Sequence, residues 1–422
     1  MTTPQPSPDV SLQLKLSRPY LPAGGKPDTL HLVCRATLAA SATVARVPLN
    51  LALVLDSSPS MFSPRHKIET VLVAVQALLP LCGPDDVLSV VSFDEHAHLL
   101  VPPGRVPSPS AFREMLGRIT AGNWTVMAQG MAEASRQLAV KASPGRLTCM
   151  LLLTDGQTQG KPSDCVGLAK ELAARGGTVT CLGIGSDFDH ELLTDVANAG
   201  NGRSYYLKAP LQLKQIFEAE FRRLASVALT DVTFVFEGAG GVKTLEAWRG
   251  HPDFQPAGKP LVRPETKVSV PVGNLEQGGT CGAYFALQTP GGLRPGPVDL
   301  GRLGLTYKLV GPGGGSGRVD KKVTVECVPD GSLTAITDPF AMGIADRAHA
   351  FRLQEQGLAK AKTGRHSEAA GALEECGALL QRLGDQDGAK VVLTEAVNLR
   401  RQTGISEAGT KAIYYRMRDP GK

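Results

Sequence analysis

Short apolar runs alternate with segments of helical spacing through the middle of this chain. The run 49–55 is apolar except for Asn50 and stops abruptly at Asp56-Ser57-Ser58-Pro59-Ser60. A continuous apolar run bounded by turn residues reads as a strand buried on both faces, as at the centre of a parallel sheet. Residues 87–93, 147–154, 178–184 and 205–207 read as further strands. Helical spacing occupies 67–79, 110–119, 127–140, 163–174, 189–198 and 211–226. Such alternation predicts an α/β unit: a doubly wound, mainly parallel sheet with helices on both faces.

The flanks carry a different pattern. Residues 10–16 and 30–32 alternate apolar and polar, as strands with one buried face do. Segments 232–236, 267–270, 284–287, 303–307 and 322–325 are bounded by Gly or Pro clusters and suggest an antiparallel β-sandwich. The early strands need partners, and these later ones supply them, so the α/β unit is expected to be inserted into the sandwich. Past Pro339 the text becomes rich in Ala, Leu and Glu, with apolar residues three and four apart in 340–361, 367–383 and 387–401. Three amphipathic helices follow. Residues 357–370 resemble half a tetratricopeptide repeat, but a single copy implies a small helical hairpin or bundle and not an array. The expected division is 1–46 for the first sandwich strands, 47–227 for the α/β unit, 228–337 for the rest of the sandwich and 338–422 for a small α-helical domain.

Composition changes this picture little. At 422 residues, with 42% hydrophobic and 20% charged positions, the chain has the make-up of a soluble protein of two or three domains. No apolar stretch is long enough to span a membrane. The beginning of the chain, residues 1–8, has neither the basic nor the apolar region of a signal peptide, so a cytoplasmic location is expected. Eight dispersed cysteines form no C-x-x-C pair and read as buried thiols in a reducing compartment. A net charge of +5, from 45 basic and 40 acidic residues, does not call for nucleic acid. The basic and aromatic residues of 411–418 offer at most a minor partner contact.

The chemistry gathers at strand ends. Asp56, Ser58 and Ser60 stand at i, i+2 and i+4 of a turn at a strand's carboxyl edge, where open α/β sheets place their ligands. One carboxylate and two hydroxyls are hard oxygen donors, suited to Mg²⁺, Mn²⁺ or Ca²⁺ and not to zinc. Thr125, before the helical segment 127–140, and Asp155, after the run 147–154, add a hydroxyl and a carboxylate at loops of the same expected edge. This constellation closely resembles the metal-ion-dependent adhesion site (MIDAS) of von Willebrand factor A domains, over roughly residues 47–224. The resemblance implies a Rossmann-like fold and a magnesium-type site made by Asp56, Ser58, Ser60, Thr125 and Asp155. One departure is Pro59, where the family usually has Gly; a loop requiring positive φ there would be disturbed. The layout, with sandwich and helical extension, also resembles bacterial members of the family.

Other signals are weaker. Gly183-Ile184-Gly185 lacks the third glycine of a dinucleotide fingerprint, and the glycine-rich 311–317 has no Gly-Lys-Ser/Thr and leads into a strand. No Gly-x-Ser-x-Gly elbow surrounds Ser57, Ser58 or Ser60. The reading is therefore a divalent-metal-dependent protein-binding module for adhesion or scaffolding, not an enzyme. A partner's Asp or Glu carboxylate would complete the metal shell, as the resemblance implies. The alternatives are a regulatory subunit of an ATPase or kinase system and a metal-assisted hydrolase. For the hydrolase no basic clamp is evident in the site loops, since Arg65, His66 and Lys67 lie just beyond Ser60.

Overall fold

A computed structural model describes residues 9–40, 46–63, 66–143, 145–185, 187–207, 213–251, 254–257, 263–310, 314–401, 404–406, 409–410 and 413–414. The stretches 1–8, 311–313 and 415–418, on which parts of the sequence reading fall, lie outside them.

In chain order the strands β1 (Val10–Leu16), β2 (Tyr20–Pro22) and β3 (Asp28–Leu38) come first. The α/β unit follows with β4 (Leu49–Asp56), α1 (Pro59–Phe62), α2 (His66–Gln76), β5 (Val87–Phe93), β6 (Ala97–Arg105), α3 (Pro109–Leu116) and α4 (Met127–Val140). It continues through β7 (Leu147–Thr154), α5 (Pro162–Ala174), β8 (Thr178–Ile184), α6 (His190–Ala199), β9 (Ser204–Leu207) and α7 (Leu213–Ala225). Then come β10 (Val227–Gly238), β11 (Lys243–His251), β12 (Gln255–Pro256), β13 (Lys267–Glu276), β14 (Thr280–Thr289), β15 (Gly296–Leu309) and β16 (Ser316–Val328). Helices α8 (Pro339–Lys362), α9 (His366–Arg382) and α10 (Gln386–Arg400) follow.

The central sheet has the order β6-β5-β4-β7-β8-β9, parallel except for the edge strand β6. Every residue of β4 is buried. Its side chains alternate between two cores: Leu49, Leu51, Leu53 and Leu55 join Val71, Val75 and Phe217 on one face, while Ala52 and Val54 meet Met131, Leu138 and Leu193 on the other. This is why the run is apolar without alternation. The chain winds to one side of β4 through β5 and β6 and to the other through β7, β8 and β9. The carboxyl ends of β4 and β7 therefore stand at the switch point where open sheets leave a crevice.

Two five-stranded sheets, β1-β3-β14-β11-β12 and β13-β10-β15-β16-β2, share a second core built from Leu30, Leu32, Phe234, Phe236, Phe285 and Leu305 among others. Strand β3 pairs with β14 from Asp28 opposite Thr289 to Thr37 opposite Thr280, so the chain before the α/β unit is part of the sandwich formed after it. The outer face of the β14 sheet is covered in turn. Trp248, Phe254 and Tyr284 pack with Ala348, Phe351 and Leu373 of the helical segment. Among the described residues no helix is long and apolar enough to cross a membrane. All eight cysteines are free thiols, seven of them buried.

Candidate metal site

Asp56 ends β4 with its carboxylate fully buried. A buried carboxylate needs donors, and it has them: Ser58 N–H donates to Oδ1 at 2.8 Å, and the Thr154 hydroxyl donates to Oδ2. Burial nevertheless pushes the Asp56 carboxyl up to about 6, with Ser58 and Thr154 pulling it down and Asp155 adding to the rise. Ser57 turns the other way and is spent on Phe93, donating both its N–H (2.8 Å) and its Oγ (3.0 Å) to that carbonyl. Pro59 is the first residue of α1, following Ser58 at φ −63°. Proline's fixed φ suits that position, and no residue of the turn needs positive φ. The condition under which Pro59 would disturb the loop is not met.

A chain of hydrogen bonds runs from this turn to the next strand. Ser58 Oγ and Ser60 Oγ are 3.1 Å apart, and Ser60 Oγ donates to Asp155 Oδ1 at 2.7 Å. Asp155 is buried immediately after β7, and its Oδ2 accepts from Lys67 Nζ at 2.7 Å. Thr125 is held from the third loop: its N–H donates to Gln159 Oε1 at 2.8 Å and its carbonyl accepts from Gln159 N–H at 2.8 Å. Gly156 leaves the space between loops open. A Cβ on it would stand 3.6 Å from Thr125 Oγ1 and 3.9 Å from Ser60 Oγ, both ordinary contact distances, with no other atom outside its chain neighbours within 4 Å.

The loop before Thr125 is stapled to the β5–β6 turn. Gly122 N–H donates to the Ser57 carbonyl at 3.0 Å, and a side chain at Gly122 would collide with Asp94, its Cβ lying 2.2 Å from that residue's. Glu95 accepts from Asn123 N–H (2.9 Å), Asn123 Nδ2 (2.7 Å) and Trp124 N–H (3.2 Å), donors that hold its carboxyl at about 2. Trp124 is left 62% exposed beside Thr125. Asp94, Glu95 and His96 also place ligand atoms within 4.8 Å of one another. Asp94, however, is engaged with His96 N–H and His98, and Glu95 with the Asn123 loop, so this cluster positions the loop.

Residues 50–219 match the von Willebrand factor type A domain, and residues 341–420 match the Sll0103-like, C-terminal alpha-helical domain. The chain carries a von Willebrand factor A domain. Uncharacterized protein sll0103 of Synechocystis sp. is 30% identical over 229 residues, 54% of this chain and 54% of that one. Uncharacterized protein YfbK of Escherichia coli is 20% identical over 187 residues, 43% of this chain and 32% of its own. The chain thus matches about half the length of the first and a third of the second. Among solved structures, von Willebrand factor type A from Catenulispora acidiphila aligns over 99% of this chain and 98% of that one, with TM-score 0.80 and 18% identity. The ArnB paralog VWA2 from Sulfolobus acidocaldarius aligns over 97% and 98%, with TM-score 0.55 and 16% identity. At such identities the likeness is one of fold: A domain, sandwich and helices together. A domains are commonly adhesion or protein-interaction modules.

The A domain brings Asp56, Ser58, Ser60 and Asp155 into one hydrogen-bonded string and sets Thr125 across Gly156 from Ser60. The sequence reading missed Thr154, Gln159, Glu95 and above all Lys67. In sequence Lys67 lies just beyond the site loops, whereas in the fold it sits in the first turn of α2 with its Nζ 2.7 Å from Asp155 Oδ2. Only the alternation along β7 could have flagged Thr154, which falls on the same side as Met150 and Leu152.

Proposed function

We propose that this A domain binds a protein partner through a divalent cation held by Asp56, Ser58, Ser60, Thr125 and Asp155. The donor set fits such an ion: oxygens only, two of them carboxylates, gathered at one sheet edge around a space that Gly156 leaves free. That convergence is the observation that carries the reading. When bound, Mg²⁺ (or Mn²⁺ or Ca²⁺) supplies a positive centre for a partner's Asp or Glu carboxylate. The chain's own residues do the rest. Asp56 and Asp155 provide the charge, the three hydroxyls provide neutral donors that leave the ion's charge incompletely compensated, and the Glu95 staple fixes Thr125. Trp124, next to Thr125 in the chain, offers a large exposed apolar anchor of the kind that dominates interface energetics.

The reading includes binding without turnover, and a cytoplasmic setting in keeping with eight free thiols. It also takes 1–46 with 228–337, 47–227, and 338–422 as the working units. The test is partner capture from native lysate with the full chain. Binding is expected to vanish in chelator and to weaken in Thr125→Ala with an unchanged melting temperature. Capture that ignores both would overturn it, as would metal-dependent hydrolysis of phosphoester or peptide substrates that is lost in Asp56→Ala.

A further inference from the structure

Lys67 reaches into the string of candidate ligands, and its placement is not explained by the helix that carries it. It lies in the first turn of α2, where the helix dipole disfavours a cation. Its ammonium instead lies 2.7 Å from Asp155 Oδ2, with the Asp155 side chain fully buried and that of Lys67 19% exposed. A buried carboxylate without a counter-charge is strongly unfavourable, and here a tethered cation supplies one. The other oxygen of Asp155 is already taken by Ser60.

We propose that Lys67 is a built-in cation of this site: its ammonium competes with the divalent ion for Asp155 and so sets both the affinity and the residual charge of the loaded site. This rests on the metal-binding reading above. With Asp56 and Asp155 ionised, the three charged groups sum to −1. A divalent ion therefore leaves +1 if Lys67 stays, or 0 if its side chain, 19% exposed, swings its ammonium out to solvent. In the first case the loaded site draws a partner carboxylate more strongly than a two-aspartate site would. In the second, the work of displacing the ammonium is subtracted from metal affinity. Both make the ion bind more weakly than the five oxygens alone would hold it.

Calorimetric titration of the full chain with Mn²⁺ tests this. Lys67→Gln is expected to bind at least about tenfold more tightly than the unaltered protein, since a unit positive charge a few ångströms from the ion is removed. Lys67→Arg, which keeps the charge, should not bind more tightly. Equal or weaker binding by Lys67→Gln, with its circular dichroism unchanged, would overturn the inference while leaving the metal reading intact. Absence of binding to both proteins would overturn both. If Lys67→Gln does not fold, the unaltered chain decides by lysine ammonium NMR. The Lys67 signal seen in chelator should shift or disappear at saturating Mg²⁺, and a signal indifferent to the bound ion would refute the proposal.

Discussion

Asp56 carries the conflict on which the site turns: it must be charged to hold a cation, yet burial lifts its carboxyl to about 6. Because this lies above the ordinary 3.8, the metal-free fold binds the proton more tightly than the unfolded chain, and its stability declines as pH rises from about 4 through 6. A cation competes with that proton. Mn²⁺ affinity is therefore expected to fall by up to about tenfold per pH unit below 6 and to level off above 7. Titrations at pH 5, 6 and 7.5 check this, and a pH-independent affinity would contradict it. Gly156 gives a steric counterpart. Gly156→Val places branches in the gap between Thr125 Oγ1 and Ser60 Oγ, so the Mn²⁺-induced rise in melting temperature should vanish while metal-free stability changes by about 1 kcal/mol or less.

Among elements, the strands that lead into the candidate site were readable because β4 and β7 are buried on both faces and so appear as largely apolar text, broken within the strand only by Asn50 and Thr148. The strands that escaped notice have physical reasons to. β6 is an exposed edge carrying Pro102, Pro103 and Gly104, and β11 has register breaks at Thr244/Glu246 and Arg249/His251 that scramble its two-residue period. Lys67 escaped because sequence shows which helix face a residue occupies and not how far its side chain reaches. A further buried group links elements. Glu220 on α7 accepts from Thr180 (2.7 Å), Tyr205 (2.8 Å) and Arg223, and Arg223 also donates to Glu276 of β13 at 2.7 Å. Burial would raise the Glu220 carboxyl, but Arg223 outweighs it and holds the group at about 2. A depressed carboxyl stabilises the fold above about 4.5, and that contribution is lost as pH falls toward 2. Glu220→Gln is accordingly expected to destabilise the chain at pH 7 by about 3 kcal/mol, by leaving Arg223 short of its buried counter-charge, and by much less near pH 2.5. Urea unfolding at the two pH values measures the difference.

At the scale of the whole molecule, the A domain leaves the sandwich after β3 and re-enters it at β10, while the helices close over the sheet that β3 helps to build. The two ends of the chain thus differ in what their loss exposes. β3 lies between β1 and β14, so removing residues 1–46 takes out β1 and β3 together and leaves β14 with a row of unpaired backbone groups. Such a chain is expected to aggregate or to lose its sandwich. Removing residues 339–422 leaves every strand pairing in place but bares Trp248, Phe254 and Tyr284, which now pack on Phe351 and its neighbours. An exposed patch of that kind promotes self-association without unfolding. The shortened protein should therefore elute as a larger species, bind a hydrophobic dye and still show the Mn²⁺-induced stabilisation expected of the intact chain, because no residue of the proposed metal site lies in the deleted segment. A monomeric, dye-silent product would mean that the helices are not what protects this face. Loss of the Mn²⁺ response in a folded product would mean that the helical segment reaches the metal site through the sandwich.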